Sequence, residues 1–221
     1  MELIGRGRDA DVFALDERRV LRRYREGGDT EPEARLMTYL RSHGYPVPEV
    51  FEAAGPDMVM ERVDGVTLTR AALRRVWNPG RPGKVLGELH NRLHAIPAPD
   101  WLPRLPEGGD RVVHLDLHPE NVMVTAAGPV VIDWRNAMAG APQADIAMVV
   151  VLFKAMTPPL PWAARKAVDV LKAPLLARFL ITTREHELSE EHIASAVVAK
   201  LRDPNVGPGE RVKLERILAA Q

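Results

Sequence analysis

The sequence predicts an α+β fold, and three observations carry that expectation. Short β-branched segments fill the first part of the chain, helical periodicity governs most of the chain beyond residue 64, and a glycine-bearing turn joins the first two extended segments. The expected layout is a small antiparallel-sheet N-terminal lobe with one helix, residues 1–63, and a mainly helical C-terminal lobe, residues 64–221, with the change of character near 61–66.

Residues 2–5 and 11–15 read as strands flanking the glycine turn; DERR turns at 16–19, and VLRRY continues as a third strand. A helix is expected over 30–40. Thr30 and Glu33 have capping-box spacing there, and Leu36, Met37 and Leu40 form an apolar stripe. PEVFEA and DMVMERV supply two more strands. In the second part, Leu86, Leu89, Leu93 and Ile96 recur at helical spacing within 84–96, and IPAPDWLPRLP forms a loop that leads to RVVHLDLH. Strands are expected at 122–125 and 130–133 around the AAGP turn, and helices at 142–156, 161–180, 188–201 and 208–219.

A chain of 221 residues that is 46% hydrophobic can bury a substantial core, so disorder is not expected. Thirty Lys plus Arg balance thirty Asp plus Glu, which leaves no bulk positive field for a nucleic acid backbone or an anionic membrane. A small molecule is the expected partner. The chain has no cysteine, which excludes disulfides, thiolate zinc sites and cysteine nucleophiles and suits a reducing compartment. The longest apolar run, 146–153, is far shorter than the roughly 20 residues of a membrane span, and MELIGRGRD has no apolar signal core. A soluble cytoplasmic protein is the expectation.

LIGRGRDADVF holds Gly5, Gly7, Ala10 and Val12, which fits a nucleotide loop GxGxxGxV with alanine at the third glycine. The same string fits a dinucleotide fingerprint, with Glu26 or Asp29 about twenty residues on as a ribose-binding acid. That alternative needs a helix directly after the loop. The chain instead runs through Val12 and Leu15 into DERR and VLRRY, a hairpin with no room for one. An ordinary hairpin with glycines at its bend is the other reading.

HLDLHPENVMV, 114–124, and VVIDW carry the chemistry. Asp116 with Asn121 five positions on reproduces the HxDxxxxN loop of phosphoryl-transfer enzymes, and Asp133 at the end of the next hairpin offers a second metal ligand. At about one in twenty per position, four such residues at fixed spacing arise by accident on the order of once in a thousand chains of this length. A γ-phosphoryl group passes through a charge-rich transition state, so a protein that moves it must hold magnesium and aim a hydroxyl in line. Magnesium takes hard oxygen ligands and keeps several waters, so the Asn121 amide oxygen and the Asp133 carboxylate suffice, leaving Asp116 to accept the hydroxyl's proton. His114 and His118 are expected to support the loop. The rival reading sets His114, Asp116 and His118 on one strand face as a zinc or iron hydrolase site, but leaves Asn121, Asp133 and the glycine loop without a role.

These motifs, together with EARLMTYL, VPEV, VMERVDG, LHNRLH and GAPQADIA, resemble the aminoglycoside phosphotransferase and choline kinase superfamily, small-molecule relatives of the protein kinases. The resemblance spans most of the chain. It implies a protein-kinase-like bilobal fold, ATP and Mg2+ as cofactors, Asp116 as catalytic base, and Asn121 and Asp133 as metal ligands. It further implies that Met60, Glu61 and Arg62 line the adenine site and that Asp145 steadies the catalytic loop. One departure stands out: where the family usually has a strand lysine on the phosphates, this chain has Arg22, with Glu33 as its expected partner. Arginine keeps the charge and forks onto phosphate oxygens, but it is bulkier than lysine.

The acceptor is expected to be a small molecule with a hydroxyl, such as an aminoglycoside, a sugar or an amino alcohol. Glu185, Glu187, Glu190 and Glu191 could attract a polycation, or simply favour the start of a helix through its dipole. Beside the phosphotransferase stand two other classes, a catalytically silent kinase-like protein that binds nucleotide or a partner, and a metal-dependent hydrolase.

Overall fold

The computed structural model describes the chain apart from residues 8, 75–79, 156–161, 185–186, 204–205 and 221, and apart from the side chains of 162–165, 167–168 and 171. The elements, in order, are β1 (Glu2–Arg6), β2 (Ala10–Ala14), β3 (Arg19–Tyr24), α1 (Glu31–Ser42), β4 (Val50–Ala54), β5 (Asp57–Glu61), β6 (Val66–Thr67) and α2 (Leu68–Arg74). They continue with α3 (Gly80–His94), β7 (Arg111–Val113), β8 (Val122–Thr125), β9 (Gly128–Val131), β10 (Met138–Gly140), α4 (Pro142–Ala155), α5 (Trp162–Thr182), α6 (Glu190–Leu201) and α7 (Pro208–Ala219). The α+β expectation holds. Contacts divide the chain into two compact units, residues 1–66 with 123–135, and residues 67–122 with 136–221.

In the first unit an antiparallel sheet runs in the order β1-β2-β3-β5-β4. Val12 on β2 and Met58 on β5 flank Arg22 of β3 in register. Val20, Leu21, Met58 and Met60 are buried in the sheet, and α1 buries Leu36, Met37 and Leu40. The β8–β9 hairpin belongs here because Val131 N–H donates to the Pro46 carbonyl at 2.8 Å and the Tyr45 ring meets Trp134 edge-on at 5.5 Å. Strand β9 stops at Val131, short of the expected 133. Asp133 has φ +68°, a left-handed conformation that costs an L-residue about 1 kcal/mol or more and cannot continue a strand.

The expected capping box is absent. Thr30 is the N-cap of α1, but its hydroxyl donates to the carbonyls of Gly55 (3.1 Å) and Asp57 (2.9 Å), and Glu33 is turned away from it. Thr30 is fully buried, so its hydroxyl must satisfy the nearest carbonyls, here those of the β4–β5 turn.

In the second unit α3 begins at Gly80, four residues before the expected start, and packs on α5. The close approach depends on glycine: a Cβ at Gly83 would lie 2.1 Å from the Leu175 carbonyl oxygen, and one at Gly87 2.6 Å from Thr182 Cβ. The apolar run 146–153 forms the core of α4, where Ile146, Val149 and Val151 are fully buried. A second core gathers Ala147, Met148, Val151, Leu152, Val197 and Leu214 from α4, α6 and α7. Among the described residues no helix is long and apolar enough to cross a membrane. Strand β7 pairs with β10, two short elements with Val112 and Val113 wholly buried.

Candidate active site

In the first unit, β3 and the segment after β9 converge on α1. The Arg22 guanidinium donates through Nη1 to Glu33 and through Nη2 to Asp133 Oδ1 at 2.5 Å. Glu33 is almost wholly buried, and it also accepts from the Tyr24 hydroxyl and from Trp134 N–H at 2.9 Å. Three donors on one buried carboxylate account for its position. Burial alone would lower the Arg22 pKa, but the Glu33 and Asp133 carboxylates outweigh it and raise it above the usual arginine range. Tyr24 is pushed upward by burial and by Glu33. Its ring carries Arg135 at 4.5 Å and Arg22 at 5.3 Å.

The glycine turn joins β1 to β2 without a helix, which removes the dinucleotide-fingerprint alternative. Gly7 N–H donates to the Ala10 carbonyl at 2.8 Å, and Arg25 braces the turn through Gly7 O (2.9 Å) and Asp11 (2.8 Å). Arg135 pairs with Asp9 at 3.4 Å. Ala10 is buried and Gly5 lies against Val12, where an added Cβ would sit 3.5 Å from Val12 Cβ. At the end of β5, Met60 is buried, and the N–H groups of Glu61 and Arg62 donate to Glu49 O and Arg18 O, both at 2.8 Å.

In the second unit the catalytic-loop sequence lies between β7 and β8. Asp145, in the first turn of α4 and fully buried, accepts from His114 N–H (3.0 Å), Leu115 N–H (2.8 Å) and His94 Nε2 (3.1 Å). Leu115 has φ +63°, so the carboxylate holds a strained backbone in place. Although burial would raise its pKa, the His94 hydrogen bond, nearby His90 and the His114 N–H hold Asp145 well below the usual carboxylate range. Asp116 N–H donates to His114 Nδ1 at 3.3 Å.

Asn121 Nδ2 donates to the Asp116 carbonyl at 2.9 Å and to its carboxylate at 3.3 Å. His118 caps the short 3-10 turn of Pro119–Asn121 by accepting Glu120 N–H at 3.2 Å, and its Nε2 lies 3.7 Å from Asp116. Burial, partly offset by Asp116, lowers the His118 pKa, which favours the neutral ring. His114 and His118 therefore sit on a loop and a turn, not on one strand face. Among the described residues no group of three or more His, Asp or Glu side chains could hold a metal, so the zinc or iron hydrolase reading loses its site.

Asn121 and Asp133 fit magnesium in donor chemistry. Both offer hard oxygens, the Asp133 carboxylate is 44% exposed, and with Nδ2 turned to Asp116 the amide oxygen of Asn121 faces the other way. Tyr24, Arg25, Arg135 and His94 were not singled out as site residues from the sequence. Tyr24 lay within reach, being two positions beyond Arg22 on the same strand face. Arg25, Arg135 and His94 act through contacts distant in sequence. Of the acidic group, Glu185 lies outside the described residues, while Glu190 and Glu191 occupy the first turn of α6 after the Ser189 cap.

A sheet unit with a strand cation paired to a helix glutamate, followed by a helical unit with an aspartate–asparagine loop, defines the protein-kinase-like class. The Phosphotransferase enzyme family (APH) matches this sequence over residues 1–104 and 98–174, and the chain belongs to that family. The fold is similar to the gentamicin complex of APH(2")-IIa, with a TM-score of 0.64, 14% identity, and coverage of 99% of this chain and 88% of that one. A choline/ethanolamine kinase family protein from Mesorhizobium loti aligns with a TM-score of 0.61 and 16% identity over 99% and 85% of the two chains. The streptomycin–ATP ternary complex of APH(2")-IIa aligns with a TM-score of 0.60 and 13% identity over 100% and 91%. The EKC/KEOPS complex subunit BUD32 of Encephalitozoon cuniculi is 36% identical over 67 residues, 30% of this chain. That match spans only 34% of the relative's length.

Proposed function

We propose that this protein transfers the γ-phosphoryl group of ATP, with Mg2+, to a hydroxyl of a small molecule such as an aminoglycoside, a sugar or an amino alcohol. The observation that carries the reading is the Asp116–Asn121 pair on a loop stapled by Asp145. Asn121 fixes the direction of the Asp116 carboxylate, which accepts the acceptor's proton as its oxygen bonds to phosphorus and the bridging oxygen leaves with ADP. Asn121 and Asp133 would hold magnesium, which would supply positive charge against the phosphates. Residues 1–63 bind the nucleotide, with Gly5, Gly7, Ala10 and Val12 beside the phosphates, Arg22 on them, Glu33 as its partner, and Met60, Glu61 and Arg62 beside adenine. Residues 64–221 carry the catalytic loop, supported by His114, His118 and Asp145, and the acceptor site. A cytoplasmic setting, where ATP is abundant, suits this reading and a chain without cysteine.

ADP release measured across a panel of hydroxyl-bearing acceptors tests the proposal. Asp133→Ala is expected to abolish turnover, and Asp116→Ala to lower kcat by about 10² to 10⁴. Wild-type rates in both variants end the assignment. A second reading, a silent kinase-like protein that binds nucleotide or a partner, draws on the Arg22–Asp133 pair, which engages the candidate metal ligand. Nucleotide binding without ADP release under every acceptor favours it.

A further inference from the structure

We propose that Arg22 competes with the divalent cation for Asp133, so that this carboxylate becomes a metal ligand only when nucleotide phosphate draws the guanidinium away. The inference rests on the reading of Asp133 as a magnesium ligand. Its basis lies wholly within the first unit. Arg22 is 11% exposed in its side chain, its Nη1 is anchored on buried Glu33, and its Nη2 reaches Asp133 Oδ1 at 2.5 Å. A guanidinium spreads its N–H groups over separate nitrogens and so serves both carboxylates, one on Nη1 and one on Nη2; a lysine gathers its three donors at one nitrogen on a shorter reach, too compact to span two carboxylates placed that way.

The two carboxylates are not equivalent. Glu33 has two further donors, Tyr24 and Trp134 N–H, whereas Asp133 is 44% exposed and takes its ion pair from Arg22. Asp133 is thus the exchangeable partner and Glu33 the fixed one. A divalent cation that binds without nucleotide must displace a charge-assisted hydrogen bond. Nucleotide phosphates offer Arg22 a bidentate anion in exchange, which frees Asp133. Metal and nucleotide then strengthen each other's binding beyond direct chelation, and linkage makes the coupling reciprocal.

A merely structural Arg22, one that only holds Asp133 in its left-handed backbone conformation, predicts the opposite sign, because loosening Asp133 would weaken the metal site. The experiment therefore reads a direction. Mn2+ binding to the full chain is followed through the electron paramagnetic resonance of free Mn2+, first without nucleotide and then with saturating AMP-PNP. Arg22→Lys keeps a cation for Glu33 and releases Asp133, so it is expected to bind Mn2+ alone about tenfold more tightly than wild type, within the usual range of site coupling. With AMP-PNP that difference is expected to shrink to about twofold or less.

Arg22→Gln, which still donates to Glu33, reads the same way if the lysine variant fails to fold. Arg135→Gln removes a neighbouring guanidinium that pairs with Asp9 instead, and is expected to leave Mn2+ affinity nearly unchanged. Unchanged or weaker Mn2+ binding in the Arg22 variants, or equal tightening in Arg135→Gln, overturns the competition while Asp133 remains a ligand. Mn2+ binding with AMP-PNP that is insensitive to Asp133→Asn removes the metal-ligand reading itself and the inference with it.

Discussion

Asp145 and Asp133 occupy opposite situations in this molecule. Asp145 is fully buried and accepts two backbone N–H groups and a histidine, all within one unit. Asp133 is nearly half exposed, sits at a left-handed backbone position, and accepts from one adjustable kind of donor, an arginine side chain. Their surroundings suit them to different tasks. A carboxylate saturated by backbone donors is a staple, because leaving any of those donors unpaired in the interior costs more than the bond itself contributes. One held by a single side chain can exchange that partner for a cation.

The largest effect that could break this contrast is Asp145→Ala. It removes the carboxylate that accepts from His94 Nε2 and two loop N–H groups and is expected to lower stability by about 3–5 kcal/mol, read from the urea midpoint of the far-ultraviolet circular dichroism. Asp133→Ala is expected to change stability by no more than about 1 kcal/mol while abolishing turnover, since its ion pair is partly exposed. Equal destabilisation by the two would erase the distinction. Next in size, Glu33→Gln removes the charge partner of Arg22 and keeps one oxygen, which can still accept from Trp134 N–H, while the Tyr24 hydroxyl loses the second carboxylate oxygen, so a loss of about 1–3 kcal/mol is expected in the same denaturation.

A further test probes the surroundings of Asp145 by pH. Burial lowers the pKa of His90 to about 4, partly offset by Asp145. Its unfolded value is about 6.5, so the unfolded chain takes up a proton that the folded chain refuses. The contribution of a neutral His90 is therefore complete above pH 6.5 and is lost as pH falls from there toward 4, with His118 acting in the same direction. Asp145 adds no loss in that window, because its depressed pKa matters only below the unfolded carboxylate value of about 3.9. His90→Leu is expected to flatten the dependence of the urea midpoint between pH 6.5 and 4. Parallel curves for wild type and variant would show that His90 is not held neutral in the core.

Much of the fold was legible because it depends on local periodicity. The strands around the glycine turn, α1, and the helices of the second unit follow from alternation and apolar stripes that each segment carries by itself. What escaped has a common cause. The short elements β7, β10 and α2 are too brief for a periodic signal and exist by pairing or packing with distant partners. The Thr30–Glu33 spacing suggested a capping box, yet the tertiary structure recruited Thr30 to the β4–β5 turn and Glu33 to Arg22, Tyr24 and Trp134. Helix α3 begins at Gly80, ahead of the apolar period that starts at Leu86, because proline is tolerated in a first turn and Gly83 admits α5.

Residue identity and short-range period alone set the class of chain, the order of its longer elements, and the residue types at the spacing of Asp116, Asn121 and Asp133, and all of these can be read along the sequence. Long-range packing was needed to establish that Asp145 receives the backbone of the 114–115 segment, that the β8–β9 hairpin packs with the first unit, and that Arg22 divides Nη1 and Nη2 between Glu33 and Asp133. Those outcomes join residues as far as 111 positions apart, and no local propensity records which buried donor will find which acceptor.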